Sequence, residues 1–510
     1  MAVGRTRSVA MLGLDGALVE IEADIAAGLP QFALIGLPDA ALAQAKDRVR
    51  AAATNAGLPL SHHRITVGLS PASLPKHGSG FDLGIALAAL AADDAVPAES
   101  LDRVVHIGEL GLDGRVRPVA GVLPAVAAAR RAGVGTVMVP AANAHEASLV
   151  PGVRVVGVAS LREAAIWHGA QLDPEPVDPV LGAPSEERGA PEGDLAEIIG
   201  NDDAIDAMVV AAAGGHHVFL LGPPGAGKTM LASRLPTILP PLDGEAALEV
   251  ASLRSLAGLP VGATLDDRPP FEQPHHTASA VSLIGGGSGV IRPGAAARAS
   301  RGVLFLDEAP EFAAVALDAL RQPLESGTIT IHRAKAVAQF PGAFQLVLAA
   351  NPCPCGQWGA KDADCSCTPF ARRRYLARLS GPLLDRVDIQ LHITRVTAGQ
   401  LALATERGGR LDSATARERV IAARARAAER LHGTPWRINS EVPGVWFRSD
   451  SIRLPASATA PIDRALERGA ITMRGYDRIL RVAWTLADLD EASRPGIDHV
   501  GRALYFRRAI

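Results

Sequence analysis

The chain has 510 residues, enough for about three domains of ordinary size. Hydrophobic residues make up 48% of it and aromatic residues only 4%, so Ala, Val and Leu must supply most of the core packing. No run of roughly 18 or more uninterrupted apolar residues occurs, and acidic side chains soon interrupt the apolar positions at the amino terminus. The sequence therefore excludes a membrane-spanning helix and argues against a signal peptide, and we expect a cytoplasmic protein.

The net charge of −3 is small but unevenly distributed. Residues 371–510 contain 25 basic residues, all of them arginine, and 15 acidic ones, a net charge of +10 that leaves −13 for the rest of the chain. Arginine suits bidentate contacts with phosphate or carboxylate groups. This region is therefore predicted to lie near nucleic acid or an acidic neighbouring subunit, or else to be a solvated helical surface in an arginine-rich proteome.

Residues 1–170 have the pattern of an α/β domain. Short apolar strands are predicted at 65–69, 104–110 and 136–140, with alanine-rich helical stretches between them. A stretch rich in Pro, Gly and acidic residues follows at 171–194 and has no hydrophobic periodicity, so we interpret it as a linker.

The segment HHVFLLGPPGAGKTMLASRL has the order strand, glycine-rich loop and helix. Val218–Leu221 is the predicted strand, and the loop fits the pattern G-x-x-x-x-G-K-[ST]. Its glycines let backbone N–H groups face phosphates, Lys228 is expected to reach the β- and γ-phosphates, and Thr229 is expected to bind Mg²⁺. The sequence predicts an ATP site whose loop residues are Gly222, Pro223, Pro224, Gly225, Ala226, Gly227, Lys228 and Thr229.

Two further apolar strands end in polar residues that suit the same site. Val303–Leu306 is followed by Asp307, which is predicted to bind the nucleotide's Mg²⁺. Glu308 comes next and is predicted to be the general base that polarises the attacking water. The following apolar strand ends at Asn351, which is predicted to orient that water beside the γ-phosphate.

Two arginines are predicted to complete this site. Arg386, in SGPLLDRVDIQL, is a candidate arginine finger acting on the ATP of a neighbouring subunit, and Arg474, in TMRGYDRILRVAWTLADL, is a candidate contact to the γ-phosphate. A lone arginine more often forms a surface ion pair. Only the order of these elements along the chain favours the catalytic interpretation.

All four cysteines lie between positions 353 and 367, in two C-x-C pairs. Four thiolates so close together suit tetrahedral Zn²⁺, although the usual spacing is C-x₂-C. The alternative is unmetallated or redox-paired thiols. The candidate zinc ligands are Cys353, Cys355, Cys365 and Cys367.

With these motifs in place, the chain resembles AAA+ ATPases of the magnesium-chelatase-like group, and within it the ComM/YifB type. The resemblance spans nearly the whole chain and includes LSPASLPKHGSGFDLGIALAAL, PHHTASAVSLIGGG, GVLFLDEAPEF, LRQPLESGTITIHRA and NPCPCG. It implies a Lon-protease/S5-like α/β domain over residues 1–170, an AAA+ core with a parallel sheet over 195–400 and a helical lid over 401–510. It further implies ATP and Mg²⁺ as cofactors, hexameric rings, and DNA branch migration in recombination or natural transformation.

The same resemblance assigns roles to single residues. Lys228 and Thr229 match the Walker A motif, and Asp307 and Glu308 match Walker B. Asn351 matches sensor 1, Arg386 the arginine finger and Arg474 sensor 2.

Two segments of this core are candidates for contact with DNA. IGGGSG at 284–289 is expected to be a loop facing the pore of the ring, and ITIHRAKAV at 329–337 is expected to be a hairpin. The alternative is an ordinary glycine loop and a solvated hairpin. The candidate DNA-contacting residues are Gly285, Gly286, Gly287, His332, Arg333 and Lys335.

Two rival functions remain. A chelatase-type ATPase that remodels a protein partner is the first. A Lon-like Ser–Lys peptidase is the second, but Asp82 occupies the expected serine position and Leu123 the expected lysine position, while Ser79 lies two to three residues away. Lys76 and His77 are candidate loop contacts to DNA or a partner.

Overall fold

The computed structural model describes residues 3–36, 39–60, 64–180, 193–287, 290–333, 336–358, 365–407, 410–450 and 452–507. Its amino-terminal part is built on a seven-stranded sheet with the order β3-β4-β2-β1-β5-β8-β9, beside which β6 and β7 pair with each other. The strands are β1 (Gly4–Leu12), β2 (Asp15–Ala26), β3 (Gln31–Ile35), β4 (Arg64–Ser70), β5 (Val104–His106), β6 (Glu109–Leu110), β7 (Val116–Arg117), β8 (Thr136–Pro140) and β9 (Arg154–Val158). The helices between them are α1 (Ala40–Ala43), α2 (Ala45–Asn55), α3 (Asp82–Ala92), α4 (Val122–Arg131), α5 (Ala144–Ala147) and α6 (Leu161–Trp167).

The predicted alternation of strands and helices is confirmed, but the strand predicted at 104–110 is divided into β5 and β6, which belong to different sheets. The prediction also misses the long antiparallel hairpin of β1 and β2. Charged residues in these strands face outward in cross-strand pairs. Arg5 lies opposite Glu22 and is bonded to it at 2.9 Å, and Arg7 lies opposite Glu20. Charges that seemed to interrupt an apolar run are therefore the exposed face of a strand with period two.

The central part of the chain is built on a five-stranded sheet with the order β11-β14-β17-β10-β18, in which all neighbouring strands are parallel. Two hairpins, β12–β13 and β15–β16, stand beside it. The strands are β10 (Val218–Leu221), β11 (Phe271–Glu272), β12 (Gly285–Gly286), β13 (Arg292–Pro293), β14 (Val303–Leu306), β15 (Thr328–Arg333), β16 (Ala336–Pro341), β17 (Gln345–Ala350) and β18 (Ile389–His392).

Both faces of this sheet are covered, as the continuous apolar runs of its strands predict. Val218 and Leu220 of β10 pack in one core with α7 and the carboxyl-terminal helices. Phe219 and Leu221 pack on the opposite side with residues of α12 and the β15–β16 hairpin. The helices of this part are α7 (Asp202–Gly214), α8 (Lys228–Ile238), α9 (Gly244–Ala257), α10 (Ala280–Ile284), α11 (Ala295–Arg298), α12 (Ala314–Ala319), α13 (Pro323–Ser326), α14 (Pro369–Leu376) and α15 (Gly381–Leu384).

The remaining chain is helical. Its long helix α17 is less exposed than its charged sequence predicts, since Ala416, Val420 and Ala423 are buried against the core. Residues 171–180 of the predicted linker have neither helix nor strand, and 181–192 lie outside the described residues. The helices are α16 (Ala398–Arg407), α17 (Ser413–Arg430), α18 (Gly444–Phe447), α19 (Ala456–Glu467), α20 (Met473–Leu489) and α21 (Ile497–Tyr505).

Several arginines of this region are used inside the molecule. Arg417 donates to the carbonyl of Thr237 at 2.9 and 2.6 Å, near the end of α8. Arg424 donates to the carbonyl of Ala212 at 3.0 and 2.6 Å, near the end of α7. A guanidinium there satisfies unpaired carbonyls and opposes the negative end of the helix dipole. Part of the arginine excess therefore stabilises helix ends. The sequence indicates only a contact with nucleic acid or a neighbouring subunit, or a solvated surface.

Within the described residues, no helix combines the length and the hydropathy that crossing a membrane requires.

Lys76, a candidate loop contact, is fully buried instead. Its Nζ atom donates to the carbonyl oxygens of Gly36 at 3.1 Å and Leu69 at 3.0 Å, and also to that of Pro71. Burial lowers the pKa of its ammonium group. Lys76 therefore ties loops of the amino-terminal sheet together and is not available to a partner.

Replacing Lys76 with alanine should destabilise the amino-terminal domain by about 2–4 kcal/mol, because buried carbonyls lose their shared donor. The measurement is the free energy of unfolding in urea, with the exposed Lys46→Ala as the matched control. Equal stability of the two variants would contradict this role.

Candidate functional site

The glycine-rich loop follows β10 at the carboxyl end of the sheet. A Cβ atom at Gly222 would lie 2.3 Å from the carbonyl oxygen of Ile393, so only glycine fits there. Gly225 and Gly227 have φ angles of 74° and 91°, and at neither of them does any described atom lie within 4 Å of where a Cβ would be. Helix α8 begins at Lys228, so its first N–H groups and its positive dipole end border this open space.

Lys228 and Asn351 are in direct contact. The Nζ atom of Lys228 donates to Asn351 Oδ1 at 3.0 Å and to the carbonyls of Gly222 at 2.6 Å and Pro223 at 3.1 Å. Asn351 follows β17, which pairs with β10, so adjacent parallel strands bring the two side chains together. Burial lowers the pKa of Lys228, an effect that the nearby carboxylates of Asp307 and Glu308 oppose.

Asp307 and Glu308 follow β14 at the same edge of the sheet. Asp307 Oδ2 accepts from Thr229 Oγ1 at 2.8 Å, which places the two predicted Mg²⁺ ligands side by side. Glu308 has a φ angle of 51°, a left-handed conformation that is strained for a residue with a side chain. Its carboxylate lies 3.3 Å from Nδ1 of His276, a contact that sequence spacing does not predict because the two residues are 32 positions apart.

The two predicted arginines lie elsewhere. Arg386 precedes β18, so it lies at the amino end of the sheet, whereas the phosphate-binding loop follows the carboxyl end of the adjacent strand β10. Four residues of strand separate these ends by about 10 Å. Arg474 is at the same end as Arg386, with its guanidinium 3.4 Å from Asp385.

The candidate DNA-contacting segments adjoin each other. Gly285 and Gly286 form β12, and a Cβ atom at Gly286 would lie 3.5 Å from the guanidinium of Arg333 at the end of β15. Gly285, Gly286 and Gly287 have φ angles of 113°, 156° and 144°. His332 and Arg333 are exposed, and Lys335 lies outside the described residues.

The residues at or near the expected peptidase positions make contacts inside the amino-terminal domain. Asp82 is buried and accepts two hydrogen bonds from Arg48, at 2.6 and 3.0 Å. Leu123 is fully buried in α4. Ser79 donates to the carboxylate of Glu109.

The four cysteines converge, with their Sγ atoms all within 4.8 Å of one another. The Sγ atom of Cys353 is 3.3 Å from that of Cys355 and 3.7 Å from that of Cys365. Tetrahedral Zn²⁺ with bonds of about 2.3 Å requires sulfurs about 3.8 Å apart, so the donor set fits the ion. The turn of this cluster also packs on the phosphate-binding loop, since a Cβ atom at Gly356 would lie 2.7 Å from ring carbons of Pro224.

Comparison with known proteins shows the family to which the chain belongs. Three family models match the chain. The model described as magnesium chelatase, subunit ChlI, matches residues 194–401, and the model described as subunit ChlI of Mg-chelatase matches residues 21–143. The model for the carboxyl-terminal region of magnesium chelatase subunit ChlI matches residues 410–507. An uncharacterized protein of Mycobacterium tuberculosis is 50% identical over 100% of this chain and 99% of its own length. The competence protein ComM of Haemophilus influenzae is 39% identical over 100% of this chain and 98% of its own.

The chain belongs to the ComM/YifB-type group of magnesium-chelatase-like AAA+ ATPases. The expected fold class is confirmed by the parallel sheet, the carboxyl-terminal helices and a similarity to Lon protease. The Lon protease of Mycolicibacterium smegmatis is 31% identical over 34% of this chain and 23% of its own length.

We expect this ComM/YifB-type protein, purified without chelator, to contain about one Zn²⁺ per chain, because four thiolates at these separations would hold the ion in the tetrahedral geometry it prefers. Metal analysis measures the stoichiometry, and the double variant Cys365→Ser/Cys367→Ser should lose the ion. Because the cluster packs on Pro224, that variant should also bind ATP more weakly. Less than one Zn²⁺ per several wild-type chains would count against a zinc site.

Proposed function

We propose that the chain forms a ring, expected to be a hexamer, in which each ATP is hydrolysed between two subunits and drives movement along DNA. The observation that carries this proposal is the separation of the two halves of the site. Lys228 and Asn351 lie at the carboxyl end of the central sheet, whereas Arg386 and Arg474 lie at its amino end. A head-to-tail contact would bring the second half of one subunit to the first half of the next.

Each side chain has a role that its chemistry suits. Lys228 would neutralise the β- and γ-phosphates, Glu308 would accept a proton from the attacking water, and Asn351 would orient that water. Arg386 from the neighbour would stabilise the charge that develops on the transferred phosphoryl group. Arg474, beside it, would contact the γ-phosphate from the same neighbour.

The Mg²⁺ that accompanies ATP would be held by Thr229 and Asp307, whose oxygen atoms already lie 2.8 Å apart. Hard oxygen ligands of this kind suit the ion, and the charge it supplies when bound is shared among phosphate oxygens. The strained backbone at Glu308 and its contact with His276 fix the carboxylate beside this pair.

DNA is the proposed substrate because the two hairpins β12–β13 and β15–β16 lie next to each other. Strand β12 adjoins the end of β15, and the exposed His332 and Arg333 can contact phosphates without reading sequence. The relative from Haemophilus influenzae is a competence protein, which accords with DNA as a substrate. We propose branch migration during recombination or natural transformation as the reaction that this motor drives.

The sharing of the site between subunits can be tested by mixing. Lys228→Ala and Arg386→Ala should each reduce ATPase activity by about 10³-fold or more, since one removes the phosphate ligand and the other the finger. A mixture of the two should regain activity, because about a quarter of its interfaces join an intact loop to an intact finger.

The control is Arg386→Ala mixed with the double variant Lys228→Ala/Arg386→Ala, which should stay inactive. Normal ATPase activity in Arg386→Ala alone would refute the finger role.

The DNA substrate can be tested with the ATPase itself. Single-stranded, duplex and forked DNA should each be added at low salt, where phosphate contacts are strongest, and at least one should stimulate turnover several-fold. Replacing both His332 and Arg333 with alanine should abolish the stimulation and leave ATP binding unchanged. No stimulation by any DNA would favour the alternative, an ATPase that remodels a protein partner.

A further inference from the structure

Arg386 is held inside its own chain. Its guanidinium pairs with the carboxylate of Glu325 and donates to the carbonyl of Pro382, while its Nε atom has no hydrogen-bond partner among the described residues. The arginine side chain is 13% exposed and that of Glu325 is 66% exposed. The edge of the finger that could face a neighbour is therefore occupied by a surface carboxylate.

Three further arginines lie near this pair, and each has an acidic partner of its own in Asp318, Asp385 or Asp388. Burial lowers the pKa of Arg386, and the nearby Arg321, Arg478 and Arg474 lower it further. Glu325 supplies the carboxylate that pairs with Arg386 itself. The phosphates of a nucleotide would supply the same charge, so the carboxylate and a neighbour's ATP would compete for one guanidinium edge.

Glu325 is firmly attached to the proposed DNA hairpin. It lies in α13, which ends at Gly327 in a left-handed conformation with a φ angle of 66°, and β15 begins at the next residue. The N–H of Gly342 donates to the carbonyl of Gly327 at 2.8 Å and closes the base of the hairpin. A displacement of the hairpin would therefore move the carboxylate as well.

We propose that Glu325 is a positioning residue that keeps Arg386 away from the neighbouring subunit's ATP until DNA displaces the β15–β16 hairpin. This inference rests on the proposed function, in which Arg386 acts on the neighbour's ATP and the hairpin contacts DNA. Release of the ion pair frees the guanidinium for the γ-phosphate. DNA binding at the hairpin is thereby coupled to hydrolysis at the next subunit.

The test is Glu325→Gln, which keeps the side-chain size and removes the charge. ATPase activity without DNA should rise about five-fold, the effect of losing one partly exposed ion pair, and activity with saturating DNA should stay near the wild-type value. The ratio of the ATPase rate with DNA to the rate without DNA should therefore fall. The matched control is Glu491→Gln, because Glu491 is also exposed and pairs with Arg426 in the carboxyl-terminal helices.

The double variant Glu325→Gln/Arg386→Ala should have the activity of Arg386→Ala alone, because Glu325 acts only through the finger. Unchanged rates in Glu325→Gln, or a fall in both rates with an unchanged thermal midpoint, would overturn this inference alone. A wild type that DNA does not stimulate, or an active Arg386→Ala, would overturn the proposed function and this inference with it.

Discussion

The common direction of the five parallel strands decides where each charged group of the central sheet can act. Lys228, Asp307 and Asn351 all follow strands, so they meet at the carboxyl end. Arg386 precedes a strand and must lie at the opposite end. No side-chain rotation spans about 10 Å of buried sheet, so Arg386 cannot act at the phosphate-binding loop of its own subunit.

A buried ion pair positions the two arginines at the amino end of the central sheet. Arg478 of α20 donates to Asp388 at 2.7 Å, and His216, which precedes β10, lies 3.1 Å from the same carboxylate. Burial alone would raise the pKa of Asp388, but Arg478 and His216 hold it well below its usual range. Because Arg474 is one helical turn before Arg478 and Arg386 is two residues before Asp388, this pair positions both arginines together.

The sequence predicts the parts of the site that depend on local pattern. The loop at Lys228 and the strand ends at Asp307 and Asn351 have the expected secondary structure, and the hairpin predicted at 329–337 is present with longer strands, β15 and β16. Contacts between residues that are distant in the sequence could not be predicted, because neither hydrophobic periodicity nor motif spacing encodes them. The pairing of Glu325 with Arg386 and the burial of Lys76 both depend on how separate elements pack.

The amino-terminal domain contacts the same hairpins that we assign to DNA. The backbone of Gln339 in β16 accepts from Leu14 at 3.4 Å. A cavity of about 330 Å³ between the domain and the hairpins is lined by Ser79 and Glu109 on one side and by Arg292 and Ala338 on the other. Strand residues of both hairpins border this cavity, so the amino-terminal domain packs on the elements that we propose to contact DNA.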